Sequence, residues 1–203
     1  FGTKFLAPRL GELSKRHPDL TIELVAMPRE FSLSRREADI AVSLTQPSEG
    51  RLHSRKLTDY ELGLYASKDY LAKHPAIKTT ADVPSHRFIS YIDDLVYSPE
   101  LEYTHFVSPD LRPAIKSSNL IAQLNSTVAG AGLCVLPCFI AQPEPQLVRV
   151  LPSFRLIRTF WRSANASSTG VRSSVWWHRA TRWRGSQPAT CRAARWSPSP
   201  APT

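Results

Sequence analysis

A disulfide framework is not expected of this chain. It has only three cysteines, Cys134, Cys138 and Cys191, and no apolar stretch flanked like an export signal, so a reducing compartment is expected. No run approaches the roughly 18 apolar residues of a membrane span, which leaves the cytoplasm as the expected location. Neither GxGxxG nor GxxxxGK[ST] occurs, so a glycine-rich phosphate loop is excluded, and no repeat period appears. The six histidines, His17, His53, His74, His86, His105 and His178, pair with no Ser or Cys in a catalytic pattern and are expected in turns and on the surface. Cys134 and Cys138 lack a third Cys or a His at ligand spacing. Cys134 sits in an apolar run and is expected to be a buried thiol rather than a metal ligand. No cofactor is expected.

Acidic residues are missing from the last quarter. The formal charge is +9 over 203 residues, yet Lys and Arg balance Asp and Glu from Phe1 to Phe154, and the whole excess comes from nine Arg between Arg155 and Thr203. A uniformly basic protein would point to nucleic acid or an anionic membrane; here only the tail carries the charge. All five tryptophans lie there too, and no Leu follows Leu156. Residues 162–203 are therefore expected to be a basic tail, disordered or read from a shifted frame. Such a tail could bind nucleic acid by charge and stacking, but it contains no ordered motif for doing so.

Hydrophobic periodicity organises the rest. Phe5, Leu6, Leu10 and Leu13 recur at helical spacing from Thr3 to Arg16, and His17-Pro18 ends that helix. Leu20 to Met27 reads as a strand bounded by Pro18 and Pro28, and Asp39 to Leu44 as a strand buried on both faces of a parallel sheet. Leu62 to Ala66 is a further strand, with Ser67 capping a short helix from Lys68 to Lys73. Phe88 to Tyr91, Leu133 to Leu136 and Val148 to Leu151 complete the strands. Leu120, Ile121, Leu124 and Val128 share a helical face, with Ser117 and Ser118 at the N-cap and Gly130 and Gly132 at the stop. Alternating short strands and helices imply α/β architecture with mainly parallel pairing.

Four segments, in this order, carry a resemblance to a known family: FLAPRLGELSKRHPDLTIEL from Phe5, LSRREADIAVSL from Leu33, RKLTDYELGLYASKDYLAKHP from Arg55, and SSNLIAQLNSTVAGAGLCVLPCFIA from Ser117. Together they resemble the effector-binding domain of LysR-type transcription regulators, from Phe1 to roughly Trp161. The resemblance implies a two-lobed fold like that of type 2 periplasmic binding proteins: lobe one about 1–65 and 148–161, lobe two about 66–145, joined by two crossover strands. It also implies that the fold is incomplete at both ends. The winged helix-turn-helix that would recognise DNA, and a closing strand and helix, are expected to be missing. Partners implied are a small-molecule effector and a homodimer mate. The mate would set the first helix and Leu20 to Met27 against the helix Leu120 to Ala129.

By the same resemblance the effector lies between the lobes. Gly2 and Thr3 open the first helix toward the cleft, where a helix N-terminus suits a carboxylate; plain N-capping is the alternative. Ser117, Ser118 and Asn119 open the equivalent helix of lobe two. Arg29 offers a guanidinium to an acidic effector or is a surface loop residue. Thr45, Tyr91 and Ile92 follow strands whose ends line the cleft, or are loop surface. Arg35, Arg36, Glu37 and Asp39 form a charged turn with a structural role rather than a catalytic one.

The expected function is effector sensing, with no catalytic residue and an effector expected to be anionic. The alternatives are a solute-binding protein for transport, an enzyme of the same architecture, or a non-functional fragment of a disrupted regulator gene. The enzyme would need a nucleophile–base pair that the sequence does not offer.

Overall fold

The computed structural model describes residues 1–27, 38–46 and 52–165. Arg29, Arg35, Arg36, Glu37 and residues 166–203 of the expected tail lie outside them, while residues 162–165 of that tail are ordered as strand.

The chain opens with a π-helical turn, Gly2–Leu6, that runs into α1, Ala7–Arg16. Pro8 stands in the first turn of α1, where its missing N–H costs nothing. The next element is β1, Ile40–Ser43, and then β2, Leu52–Ser67, far longer than the five residues expected. Ser67 ends β2 and begins α2, Lys68–Lys73, by accepting a hydrogen bond from the Tyr70 N–H at 3.1 Å. The chain continues with β3 (Phe88–Ser90), α3 (Thr104–Val107), β4 (Pro113–Lys116), α4 (Leu120–Val128), β5 (Leu133–Pro137) and α5 (Cys138–Ala141). The chain returns through β6, Leu147–Val150, and β7, Leu156–Asn165, so β7 extends past Trp161.

The seven strands among the described residues join one sheet, ordered β1-β7-β2-β5-β3-β4, with β6 also pairing with β2. The expectation of mainly parallel pairing is corrected: only β3 with β4 and β3 with β5 are parallel. The pairs β1–β7, β2–β5, β2–β6 and β2–β7 are antiparallel. Burial on both faces tells a strand nothing about its neighbour's direction. The chain comes back along β2 through β6 and β7, and that return makes the antiparallel half.

The core lies on both faces of β2 and β5. Along β2 and β5 alternate residues point to opposite faces. Leu62, Leu64, Leu133 and Val135 pack beneath Tyr70, Val83, Tyr103 and Val107, while Tyr65, Cys134 and Leu136 pack beneath α4 and α5 through Leu124, Cys138 and Ala141. The unbroken apolar run LCVLP is thus buried on both sides. Cys134 is fully buried, and loss of solvation pushes its thiol up to about 12.

Three further expectations fail. Residues 20–27 form no strand, and Leu20, Leu24, Val25 and Met27 are exposed. No described strand lies alongside them, and a strand exists only where a neighbour takes up its backbone hydrogen bonds. β1 is present but is a half-exposed edge strand rather than a buried parallel one. His86 is not a surface residue. It is 6 % exposed, and its Nδ1 lies 3.3 Å from the Tyr70 hydroxyl.

Candidate functional site

The long pairing of β2 with β7 connects the two parts of the fold. Leu52 to Leu62 lie against Asn165 to Leu156, with a bulge between Lys56 and Thr58. Thr159 ties the two strands by donating to Asp59 at 2.6 Å. Beside this pair the rings of Phe1, Phe5, Tyr60, Phe139 and Phe160 cluster. Tyr60 stacks on Phe160 at 4.2 Å between centroids, and Phe1 lies 4.5 Å from Phe160. Lys4, just inside the opening turn, reaches Glu144 at 3.1 Å. The start of the first helix is therefore fastened to segments on both sides of the crossover.

Gly2 is half-buried against Ala26, whose Cβ would lie 3.0 Å from a Cβ added to the glycine. Thr3 is exposed and does not cap: Phe1 holds the N-cap position, with no side-chain cap bond. Tyr91, Ile92, Ser117, Ser118 and Asn119, also expected at the site, form a second group.

That group gathers at one end of the parallel strands. Ser90 ends β3 and Lys116 ends β4, and the two are in register. The Ser117 N–H donates to the Ser90 carbonyl at 3.0 Å, which sets Ser117 beside Tyr91. Asn119, not Ser117 or Ser118, caps α4: its Oδ1 accepts from the N–H groups of Ile121 and Ala122 at 2.8 and 3.3 Å. An Asx side chain reaches the orphan N–H groups best from the position immediately before the helix. Ser117 instead steadies the cap, its hydroxyl accepting from the Asn119 N–H at 3.1 Å. The Ser118 hydroxyl makes no hydrogen bond among the described residues.

Tyr91 is buried against Tyr103, ring centroids 6.1 Å apart. Burial, helped by the neighbouring Tyr97 phenol, raises its hydroxyl well above the usual range, so it stays protonated. With Asp93, Leu101, Glu102 and His105 it borders a cavity of about 270 Å³. Ile92 follows, half-buried. A larger hollow, about 340 Å³ around Arg16 to Leu20, is open surface that contains none of the expected site residues.

Thr45 makes the contact that the sequence did not foreshadow. Its hydroxyl donates to Glu100 Oε2 at 2.8 Å and lies 3.1 Å from the Ser98 hydroxyl, which itself donates to the same oxygen. Arg158 of β7 donates from Nε to the Glu100 carbonyl at 3.3 Å. Partial burial alone would raise the Glu100 carboxyl, but the hydroxyls of Ser98 and Thr45 and the Arg158 charge outweigh it and hold the group below its ordinary value. Ser98, Glu100 and Arg158 were missed because no motif links positions so far apart. Ser98-Pro99, a helical-turn start, was the one local signal. Chemically the arrangement holds the Glu100 carboxylate through two hydroxyls, with the Arg158 guanidinium on the backbone carbonyl of the same residue.

Comparison with known proteins adds the family. The model of the LysR substrate binding domain matches residues 1–181, continuing beyond Trp161. An uncharacterized HTH-type transcriptional regulator of Haemophilus influenzae is 26 % identical over 166 residues, which are 76 % of this chain and 56 % of that protein. The HTH-type regulator PtxR of Pseudomonas aeruginosa is 26 % identical over 171 residues, 79 % of this chain and 54 % of that one. The chain thus spans about half the length of these curated relatives. Among solved structures, the regulatory domain of CrgA from Neisseria meningitidis superposes with a TM-score of 0.68 at 22 % identity, covering 81 % of this chain and 83 % of that one. The effector domain of AmpR from Pseudomonas aeruginosa gives 0.63 at 18 % identity, with 82 % of each chain covered.

Proposed function

This chain belongs to the LysR substrate-binding domain family, and from that premise we propose that it senses a small anionic effector in a cleft between two lobes, as the regulatory part of a transcription regulator. Lobe one takes in about 1–65 and 148–161, and lobe two about 66–145. The crossover pair β2–β7 serves as the hinge.

The observation that carries this reading is the bridge from Thr45 to Ser98 and Glu100. It spans from the end of β1 to the turn after β3, with the crossover strand β7 behind it. An effector seated there binds both lobes at once. Its preference for one arrangement of the lobes then shifts their equilibrium, with no bond made or broken. Gly2, Thr3, Arg29, Thr45, Tyr91, Ile92, Ser117, Ser118 and Asn119 are the proposed contacts. The unbonded hydroxyls of Thr3 and Ser118 suit an added acceptor. DNA recognition would belong to a separate N-terminal segment, as the HTH-type names of the relatives suggest, and the protein would act in the cytoplasm as a homodimer.

The test is thermal unfolding against a panel of small carboxylates and aromatic acids. A ligand that binds only the folded chain stabilises it by about 2.7 kcal/mol at a hundredfold excess over Kd. Thr3→Ala and Ser118→Ala should each reduce that shift; equal shifts in all three proteins would remove the site from this cleft.

A further inference from the structure

We propose that the cleft contains an anion subsite which the chain fills with its own Glu100 carboxylate, and that a carboxylate ligand binds by displacing it. This rests on the cleft reading above and concerns how the site is kept closed to weak ligands.

One oxygen, Glu100 Oε2, receives two hydroxyls that arrive from different parts of the fold. Thr45 comes from the segment after β1, at 2.8 Å. Ser98 comes from the turn after β3 and is 3 % exposed, so its donor is fixed in direction by packing. Arg158 supplies the third side from β7: its Nε bonds the Glu100 backbone and its charge acts on the Glu100 carboxylate. The Arg158 guanidinium is itself braced over the Phe106 ring, 5.6 Å from the centroid. Tyr60, stacked on Phe160, feels the charges of both Arg158 and Glu100. Two hydroxyl donors on one oxygen, with a guanidinium charge held nearby on the backbone of the same turn, make a receptor for a carboxylate.

Glu100 is built to leave. It lies on a single 3-10 turn, Pro99–Leu101, and its side chain is partly solvated, so rotation into water exposes no apolar core. A ligand carboxylate that takes its place accepts from the same two hydroxyls, whereas with Glu100 simply lost the Thr45 and Ser98 hydroxyls, 3.1 Å apart, are left to bond each other. The internal carboxylate therefore acts as a competitor at high effective concentration. Only an acid with further contacts in the cleft displaces it.

The test uses acetate as the probe and the full 203-residue chain, with binding followed by thermal shift and by amide NMR. Glu100→Gln keeps the shape and removes the charge; Glu100→Ala empties the subsite. Both should bind acetate at least about fivefold more tightly than the original chain, the low end of coupling between linked equilibria. Adding Thr45→Ala to either should abolish the gain. Equal acetate affinity in all forms, or a gain that survives Thr45→Ala, overturns the proposal. A larger acid that binds the original chain and Glu100→Gln equally well also overturns it while leaving the cleft reading intact. An acetate gain with no larger ligand found supports the subsite without identifying the effector.

Discussion

Arg149 of β6 donates to Glu61 of β2 at 2.6 Å, and the two side chains are only 13 % and 9 % exposed. The pair sits where the returning chain passes from β6 to β7 along one edge of β2, and Arg149 also bonds the Phe154 carbonyl of the connecting turn at 3.1 Å. Gly63 makes room for it: a Cβ there would stand 3.0 Å from Arg149 Nε. Removing one partner of a buried pair leaves the other charged in a poorly solvated place, at a cost of about 3 kcal/mol. Glu61→Ala and Arg149→Ala should each lower the unfolding free energy measured in urea by about that amount. The double variant should lose clearly less than the sum. Additive losses would mean that the pair is not coupled.

Gly132 joins α4 to β5 with φ at +156°, and a side chain would drive its Cβ into the Arg87 carbonyl. That carbonyl accepts from the Leu133 N–H at 2.8 Å and so begins the β3–β5 pairing. Strain and collision act together, so Gly132→Ala should destabilise the fold by at least about 2 kcal/mol. A variant with an unchanged denaturation midpoint would contradict this geometry.

His86 supplies a pH dependence. Burial lowers its imidazolium below the ordinary value of 6.5, the His74 charge adds to the effect, and Asp82 opposes it. A base with a depressed folded-state value takes up its proton first in the unfolded chain. Stability is therefore complete above about pH 7 and falls as pH drops through 6.5 toward the folded value, levelling off below it. The carboxylates Asp59, Asp82 and Glu100 are lowered, so their losses come at more acid pH. His86→Gln should flatten the denaturation midpoint between about pH 7 and pH 5.5; an undiminished slope would assign the effect to another group.

What could be read in advance was what local chemistry decides. Ser67 announced α2, the spacing of Leu120, Leu124 and Val128 announced α4, and the apolar run at Leu133 announced β5. Leu20 to Met27 misled because alternation promises a strand only if a neighbour is present to pair with it. The direction of β1 was hidden for a related reason, since it depends on β7, more than a hundred residues away. His86 carried no periodic signal, and its burial follows from packing against Tyr70 and His74 that only the fold brings about. At the candidate site, Tyr91 and Ser117 were legible together because each follows its strand directly. Thr45 was legible as a position but not as a contact, since Ser98, Glu100 and Arg158 reach it only through the fold.

The central claim is that a small anionic ligand binds between the lobes. Backbone hydrogen exchange, with and without the panel acid giving the largest thermal shift, tests it most directly. Bound ligand should add protection at Thr45, at Tyr91 and Ile92, and from Ser117 through Ala122, with exchange in the β2–β7 pair slowed as the hinge closes. Protection confined to residues 16–27, or no change around Thr45 and Ser117 at saturating ligand, would contradict it.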